Sequence, residues 1–392
     1  LADPELRDKF KIPYTIKAMY QNAGNEFRSM ANTEQTEKAI KGIEFIVSHA
    51  LFVDDPTLFA DVVLPDPSSL ERLVIQQYIR LQQVDVEGIF IKQPVVEPLY
   101  NTRPVADVLL DLAERLGFLN GDGGYLDLLN KGMIEGGRPW GFGATTPEPR
   151  LDIDGNYTWE EIVDVVLTAA AGEGKGLDWF KEHGLLMKKY SEDHDAKETH
   201  LWAPHFGRRF PIYFEPLLGY GEMLKDRVKE NLGMDWDVSW YEPLPRWVPC
   251  PEHDASSFPP GYDLYTVNFK TPMNTHSTSA SNVWLAEVFE ADPYFLKIWM
   301  NEETGKKKGL RDGDKVLIES LVHKTEGRVK LSEAIHPDAV GIAGAQGSWA
   351  TSPFAKKGIN YASLIPMDRE THINPMLCSH EWCTRVKITK QL

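Results

Sequence analysis

Pro243, Pro245, Pro249, Pro251, Pro259 and Pro260 crowd the stretch from Glu242 to Gly261. Proline lacks a backbone donor and fixes φ, so neither a helix interior nor a central strand can run through it. The stretch reads as an extended linker between domains, with a different residue pattern on each side. After it, Lys315–Glu319, Gly327–Leu331 and Ala339–Ala343 are short apolar strand candidates, and Asp312-Gly313-Asp314 is a strong turn before the first. Residues 261–392 are therefore expected to form a compact β-barrel, whose loops at one mouth can close over a ligand.

Before the linker the pattern is α/β. Ile16–Tyr20 reads as a short buried strand, Asn32–Lys41 as a helix opened by Asn32 or Thr33, Ile43–Val47 as a second strand and Asp61–Leu64 as a third stopped by Pro65. Strand, helix, strand in that order implies a parallel pair with a crossover helix. Val105, Val108, Leu109, Leu112 and Leu116 form one apolar stripe that predicts a helix ended by Gly117. Asn120–Pro149 is rich in Gly and Pro and reads as a long surface excursion, and Trp159 to about Lys189 as mainly helical, with a helix end at Trp179–Gly184. The expected organisation is an α/β parallel-sheet region over 1–120, a mainly helical and irregular excursion with the Pro-rich linker over 121–260, and the barrel over 261–392.

Composition narrows the function classes. With 392 residues, 42% hydrophobic and 26% charged, the chain suits two or three globular domains. A formal net charge of −16 opposes broad contact with a nucleic-acid backbone, so no nucleic-acid partner is expected. No apolar run approaches the roughly 20 residues that span a bilayer. Leu1–Asp8 has neither an initiator Met nor signal-peptide character and reads as the middle of a longer chain. Cys378 and Cys383, with His380 between them and His372 nearby, suggest half a zinc site. Structural zinc normally takes two close pairs, so half-buried thiols are the simpler reading, and the three cysteines are too few for an iron–sulfur cluster.

No Walker-type loop, Gly-x-Ser-x-Gly elbow or His-Glu-x-x-His helix is present. Polar loops at strand ends stand out instead. In Asn22-Ala23-Gly24-Asn25 small residues let backbone amides approach a phosphate or a ring edge, although the same four residues also make a plain turn. Lys270, Thr275, His276, Ser277 and Asn282 belong to a loop dense in short hydrogen-bonding side chains, which suits a ligand with many heteroatoms. For His276 alone, a structural role and a ligand contact stand as equal readings. Gly344–Trp349, followed by Gly358-Ile359-Asn360, permits close backbone approach, with Trp349 as a wall or a core plug.

Several blocks, taken in order, carry a resemblance. They are Ala60-Asp61-Val62-Val63-Leu64-Pro65 with Leu70-Glu71-Arg72, Gln93–Pro98 with Thr102-Arg103-Pro104, Leu112–Gly117, the Thr275-His276-Ser277 loop, Gly309–Val316 and Gly347-Ser348-Trp349. Together they resemble the C-terminal half of the molybdopterin oxidoreductases of the dimethyl-sulfoxide-reductase superfamily. They cover both ends of the chain, and 120–260 matches loosely. The Gln93–Pro98 block paired with the Thr275–Trp284 loop is most similar to the polysulfide, thiosulfate, tetrathionate and arsenate reductase branch.

The resemblance implies a bis-molybdopterin guanine dinucleotide cofactor carrying Mo or W, cycling between oxidation states IV and VI. It places Asn22, Gly24 and Asn25 near one dinucleotide, and Thr275, His276, Ser277, Asn282, Trp349 and Asn360 at the pterin side. Lys270 counts with them as a candidate contact. It further implies a [4Fe-4S] cluster and the metal ligand in an N-terminal portion, so no residue here is named as catalytic or as a metal ligand. An iron–sulfur electron-transfer subunit, a membrane anchor subunit, and a periplasmic or membrane-associated setting through those partners are implied as well. One departure touches the site: where the family shows Thr-Glu-Thr, this chain has Asp54-Asp55-Pro56-Thr57, which puts that loop's cofactor contacts in doubt. Two alternatives stand beside the oxidoreductase reading: a cofactor-free scaffold subunit, and a non-redox hydratase or transhydroxylase using the same cofactor.

Overall fold

The computed structural model describes residues 4–77, 86–134, 149–189, 212–272, 274, 276–291, 295–349, 356–367, 376 and 379–391. Two compact units emerge, Leu1–Val63 with Ile212–Leu392, and Leu64–Pro211. The divisions fall at Val63 and Ile212 rather than at residues 120 and 260, because packing unites segments that are distant in the chain.

β1 (Ala18–Asn22), β2 (Phe45–Ala50) and β3 (Val62–Pro65) lie side by side in that order, the first unit ending within β3. β1 and β2 are parallel, with Ala18 opposite Phe45, and the helix Thr33–Lys41 makes the crossover. Asn32 starts that helix as expected, its Oδ1 accepting from the Gln35 amide at 3.1 Å. The buried Phe27, Ile40 and Ile46 form a small core with Met19 and Phe59. β1 begins two residues later than its apolar pattern suggests, since register with β2 rather than hydrophobicity sets its start.

The second unit holds β4 (Val74–Gln77), β5 (Val86–Lys92) and β6 (Leu185–Lys189) in one antiparallel sheet. The helix Val105–Arg115 forms where its stripe predicts, with Gly117 at φ 74 just beyond it. Thr158 and Glu161 make a reciprocal capping box that opens the helix Trp159–Ala171. Two expectations are corrected. Leu185–Lys189 is a strand, because Gly184 at φ 74 stops the preceding helix and β5 offers an open edge, Phe90 pairing with Leu185. The Gly-rich excursion is not all surface: Tyr125–Leu129 is helical, and Leu126 and Ile134 are buried against Ile162 and Val166. Residues 135–148 lie outside the described residues.

The barrel belongs to the first unit. β7 (Leu264–Phe269), β8 (Ile298–Met300), β9 (Lys315–Glu319), β10 (Lys324–Leu331), β11 (Ala339–Ala343) and β12 (Arg385–Lys390) close in the order β10-β8-β11-β7-β12-β9. Alternation drives the closure: Val316 and Ile318 of β9 point inward to meet Ile298, Met300, Val329, Val340 and Val386. The fold class is thus α/β with a parallel sheet and a C-terminal barrel, as the sequence indicates. The middle of the Pro-rich linker is tied to the barrel by Arg385, whose Nε donates to the Glu252 carbonyl at 2.5 Å. Among the described residues no helix is long and apolar enough to cross a membrane.

Ile318 is fully buried at the barrel centre. Ile318→Ala is expected to cost about 2–5 kcal/mol through lost transfer energy and the cavity left behind, and urea unfolding of the two chains measures it.

Candidate functional site

The turn after β1 and the loop after β2 lie at the carboxyl ends of parallel strands, the usual place for a ligand crevice in such sheets. In this structure they are drawn together by Asp55, which is completely buried. Its carboxylate accepts from Asn25 Nδ2 at 2.9 Å, Arg28 Nε at 3.1 Å, Arg28 Nη2 at 2.5 Å, Ser348 Oγ at 2.9 Å and the Trp349 amide at 2.6 Å. Arg28 also donates Nη1 to the Gln346 carbonyl at 3.3 Å. Residues 25–28, 55 and 346–349 are therefore fixed to one another. Burial by itself would raise the Asp55 pKa. The hydrogen bonds and positive charge of Arg28, then the Asn25 and Trp349 donors, outweigh it and hold the carboxyl below its usual value of 3.8.

Aromatic packing completes the clamp. Phe27 stacks on Phe59 at 5.1 Å, and the Trp349 indole tilts against Phe27 at 5.0 Å. Trp349 stays 40% exposed, so one part of the ring is a wall facing outward. Asn360 bridges the same elements, donating Nδ2 to the Phe27 carbonyl at 3.2 Å and to Thr33 Oγ1 at 2.9 Å, while its Oδ1 accepts from the Ala362 amide. Beside them opens a cavity of about 740 Å³ lined by Thr33, His323, Gly347, Trp349, Lys356 and Asn360 among others. Burial pushes His323 below the ordinary imidazole value, against the opposing charge of Glu34.

The loop after β7 meets this seam. Ala280 and Gln346 line one small cavity. Within the loop, the Oδ1 of buried Asn274 accepts from Ser279 Oγ at 2.5 Å, and its backbone N–H donates to Thr271 Oγ1.

The expected site residues distribute unevenly. Asn25 and Trp349 meet at Asp55, and Asn360 joins them through Phe27. Gly24 lies in the same turn. Ser277 is half-buried in the 3-10 turn Ser277–Ser281, and His276 is exposed at its start. Asn282 caps the helix Val283–Ala291, accepting from the Trp284 and Leu285 amides. Asn22 donates to the His49 carbonyl at 3.2 Å, and Lys270 is exposed after β7. Ser277, His276, Asn282, Asn22 and Lys270 are not among the groups bonded to Asp55. Thr275 lies outside the described residues, as do His372 and Cys378. Cys250 and Cys383 are free, half-buried thiols. Burial first, and nearby Glu252 second, push Cys250 up to about 12 and Cys383 up to about 11, so neither is a thiolate at neutral pH. Among the described residues no group of three or more His, Cys, Asp or Glu is arranged to hold a metal.

The sequence did not point to Arg28, offered Gln346 and Ser348 only as members of the loop Gly344–Trp349, and gave Asp55 no role. The available signal was Asp55 itself, an acid retained where the hydroxyl pattern is lost.

Two elements that each end in polar loops, an α/β segment and a closed barrel, meet here at one seam and define a ligand-binding module. Residues 264–380 match the family described as Molydopterin dinucleotide binding domain. The chain is 25% identical to a sulfite dehydrogenase subunit from Allochromatium vinosum, over 92% of this chain and 40% of that protein. It is 22% identical to the molybdopterin-containing subunit of thiosulfate reductase from Salmonella typhimurium, over 90% and 41%. It is 24% identical to the molybdopterin-containing subunit of arsenate respiratory reductase from a Shewanella species, over 88% and 40%. Among solved structures, acetylene hydratase from Pelobacter acetylenicus superposes with a TM-score of 0.64 at 17% identity, covering 98% of this chain and 46% of that one, a likeness of fold. Residues 264–380 form a molydopterin dinucleotide-binding domain, and the chain is a relative of the molybdopterin-containing oxidoreductase subunits of the dimethyl-sulfoxide-reductase superfamily. It spans about two fifths of the length of these curated relatives.

Removing Asp55 strands a buried guanidinium, so Asp55→Ala is expected to lower stability by about 3–5 kcal/mol. Because the folded pKa of Asp55 is depressed, its contribution is complete above the unfolded value near 3.8 and is lost as pH falls through the lower folded value. Urea midpoints from about pH 6 down to about pH 2 should fall more steeply in the wild type than in Asp55→Ala, and equal acid slopes contradict the assignment.

Proposed function

We propose that the chain is the C-terminal portion of a catalytic polypeptide that holds bis-molybdopterin guanine dinucleotide with Mo or W. The observation that carries this reading is a set of buried side-chain atoms left open at the end of β1, in the turn after it and in the loops after β7 and β11. Gln346 Nε2, Asn274 Nδ2, Asn25 Oδ1 and Gln21 Nε2 are buried without a hydrogen-bond partner among the described residues. An open buried donor or acceptor costs about 1–3 kcal/mol. A polar ligand in these loops would satisfy them. Gly347, at φ 66, adds a close approach: a Cβ there would lie 2.5 Å from the Asn360 amide nitrogen. The residues present therefore fit a ligand with many heteroatoms.

When bound, the metal and its pterin ligands supply two-electron redox chemistry, and the protein's part is to hold and orient them. In this reading Asn25 and Gly24 face one nucleotide, and Gln346, Asn274 and Trp349 flank the ring system from the barrel side. Ser277, His276, Thr275, Asn360, Lys270, Asn282 and Asn22 complete the proposed set. Arg28 and Asp55 act through others, fixing Asn25 and Trp349 in place.

The proposed reaction is two-electron oxidation or reduction of a small sulfur or arsenic species. Support comes from the relatives, named for sulfite, thiosulfate and arsenate. The remaining polypeptide would bring the metal ligand and a [4Fe-4S] cluster. Electrons would pass to or from an iron–sulfur subunit, with attachment to a membrane through partner subunits.

Metal analysis of the intact polypeptide should find Mo or W together with GMP released by acid hydrolysis, and their clear absence from active material rules the reading out. Trp349→Ala is expected to lower bound metal and released GMP about 10-fold, the loss that removing roughly 1.4 kcal/mol of ring contact produces.

A further inference from the structure

The segment from Gln93 to Thr102 joins β5 to the helix Val105–Arg115 within the second unit, and it has the composition of a core on a solvated loop. Val95, Val96, Leu99 and the neighbouring Leu70 are each more than half exposed, and Tyr100 is 95% exposed. Glu97 is the one charged residue from Gln93 to Tyr100. Single apolar side chains on a surface are ordinary, whereas a contiguous apolar patch marks a place where something docks. Hydrogen bonds hold these residues together. The Leu70 carbonyl accepts from the Val95 amide at 2.8 Å and the Val96 amide at 3.3 Å. One oxygen of the Glu71 carboxylate accepts from the Leu99 amide at 2.8 Å and the other from the Ser68 amide at 2.6 Å. Gln93 Nε2 donates to the Lys181 carbonyl at 2.7 Å, and the Arg103 amide to the Pro65 carbonyl at 3.2 Å. Between these anchors Pro94 and Pro98 fix their own φ.

The patch is thus held in one shape before anything binds, which spares association the cost of ordering it. Tyr100 adds a strain that nothing inside the chain repays. Its φ of 60 lies in the left-handed region, sparsely populated by residues with a Cβ, and its ring is almost wholly in water. We propose that Leu70, Val95, Val96, Leu99 and Tyr100 form the docking surface for the remainder of the catalytic polypeptide, with Tyr100 as an anchor in an apolar pocket of that remainder. This rests on the reading above that the chain is one portion of a longer polypeptide, and names the surface on which the rest sits. The match covers about two fifths of the curated relatives, so the larger part of such a polypeptide is there to supply the cover. Scarcity of charge favours this occupant over an electron-transfer subunit. Permanent interfaces are the more hydrophobic class, whereas electron-transfer encounters are among the smallest and weakest.

Photocross-linking in the intact polypeptide tests the surface. Tyr100→p-benzoylphenylalanine, illuminated and mapped by peptide mass spectrometry, should give an intramolecular adduct to residues outside 1–392. An adduct within 1–392, to a second copy or to another subunit overturns the assignment, as does the lack of any adduct. A second readout keeps Tyr100 in place. In the intact polypeptide without partner subunits, Val95→Cys should be alkylated at least about 10-fold more slowly than Glu173→Cys, an exposed site on the same unit. Equal rates, or protection of Val95→Cys that arises only when a partner subunit is added, overturn it too. Mo or W with GMP in the same sample upholds the cofactor reading whatever the cross-link shows. Their absence overturns that reading and leaves the cross-link to decide the surface.

Discussion

A buried carboxylate must have its lone pairs filled, and Asp55 fills them from two other stretches of chain, 25–28 and 348–349. That requirement organises the first unit. The turn after β1, the loop after β2 and the barrel loop 344–349 cannot move independently without leaving either Asp55 or Arg28 charged and unsatisfied in the interior. Positions of Asn25 and Trp349 follow directly, since each gives one of its donors to the same carboxylate. Phe27, Phe59 and Trp349 cluster with ring centroids 5.0–6.4 Å apart and add apolar packing beside the ion pair.

The polar loops divide by where their hydrogen bonds go. Asn32, Asn282 and Asn360 use side-chain oxygens to cap helix starts, where amides would otherwise go unmatched. Asn22 ties β1 to β2. Gln21, Asn25, Asn274 and Gln346 instead keep at least one buried atom open. Amide side chains look alike in a sequence, but these two groups have different physical fates, and Asn25 and Gln346 of the second group lie where the α/β segment meets the barrel.

The thiols and imidazoles illustrate the opposite case. Cys250 donates to Glu252 at 2.9 Å and Cys383 sits in the same acidic, half-buried neighbourhood, so burial and negative charge both hold them protonated. His380 is pushed below its ordinary value by burial and packs against Trp382 at 4.8 Å. The thiols in this corner of the barrel are thus not poised as nucleophiles at neutral pH.

The sequence by itself determined the elements whose signals are local. The crossover helix with its Asn32 cap, the helix Val105–Arg115 with Gly117 beyond it, and the barrel strands at 315–319 and 339–343 all follow from periodicity and turn chemistry within a dozen residues. The order of short motifs was enough to suggest the family. What only tertiary structure decided was partnership. Leu185–Lys189 became a strand because β5 offered an edge. Leu126 and Ile134 were buried because the helix Trp159–Ala171 covered them. Arg28, a lone cation in a polar turn, could be read as buried only once Asp55 and the loop 344–349 arrived from 27 and more than 300 residues away. Charge burial is a property of what surrounds a residue, and for these residues the surroundings come from distant parts of the chain.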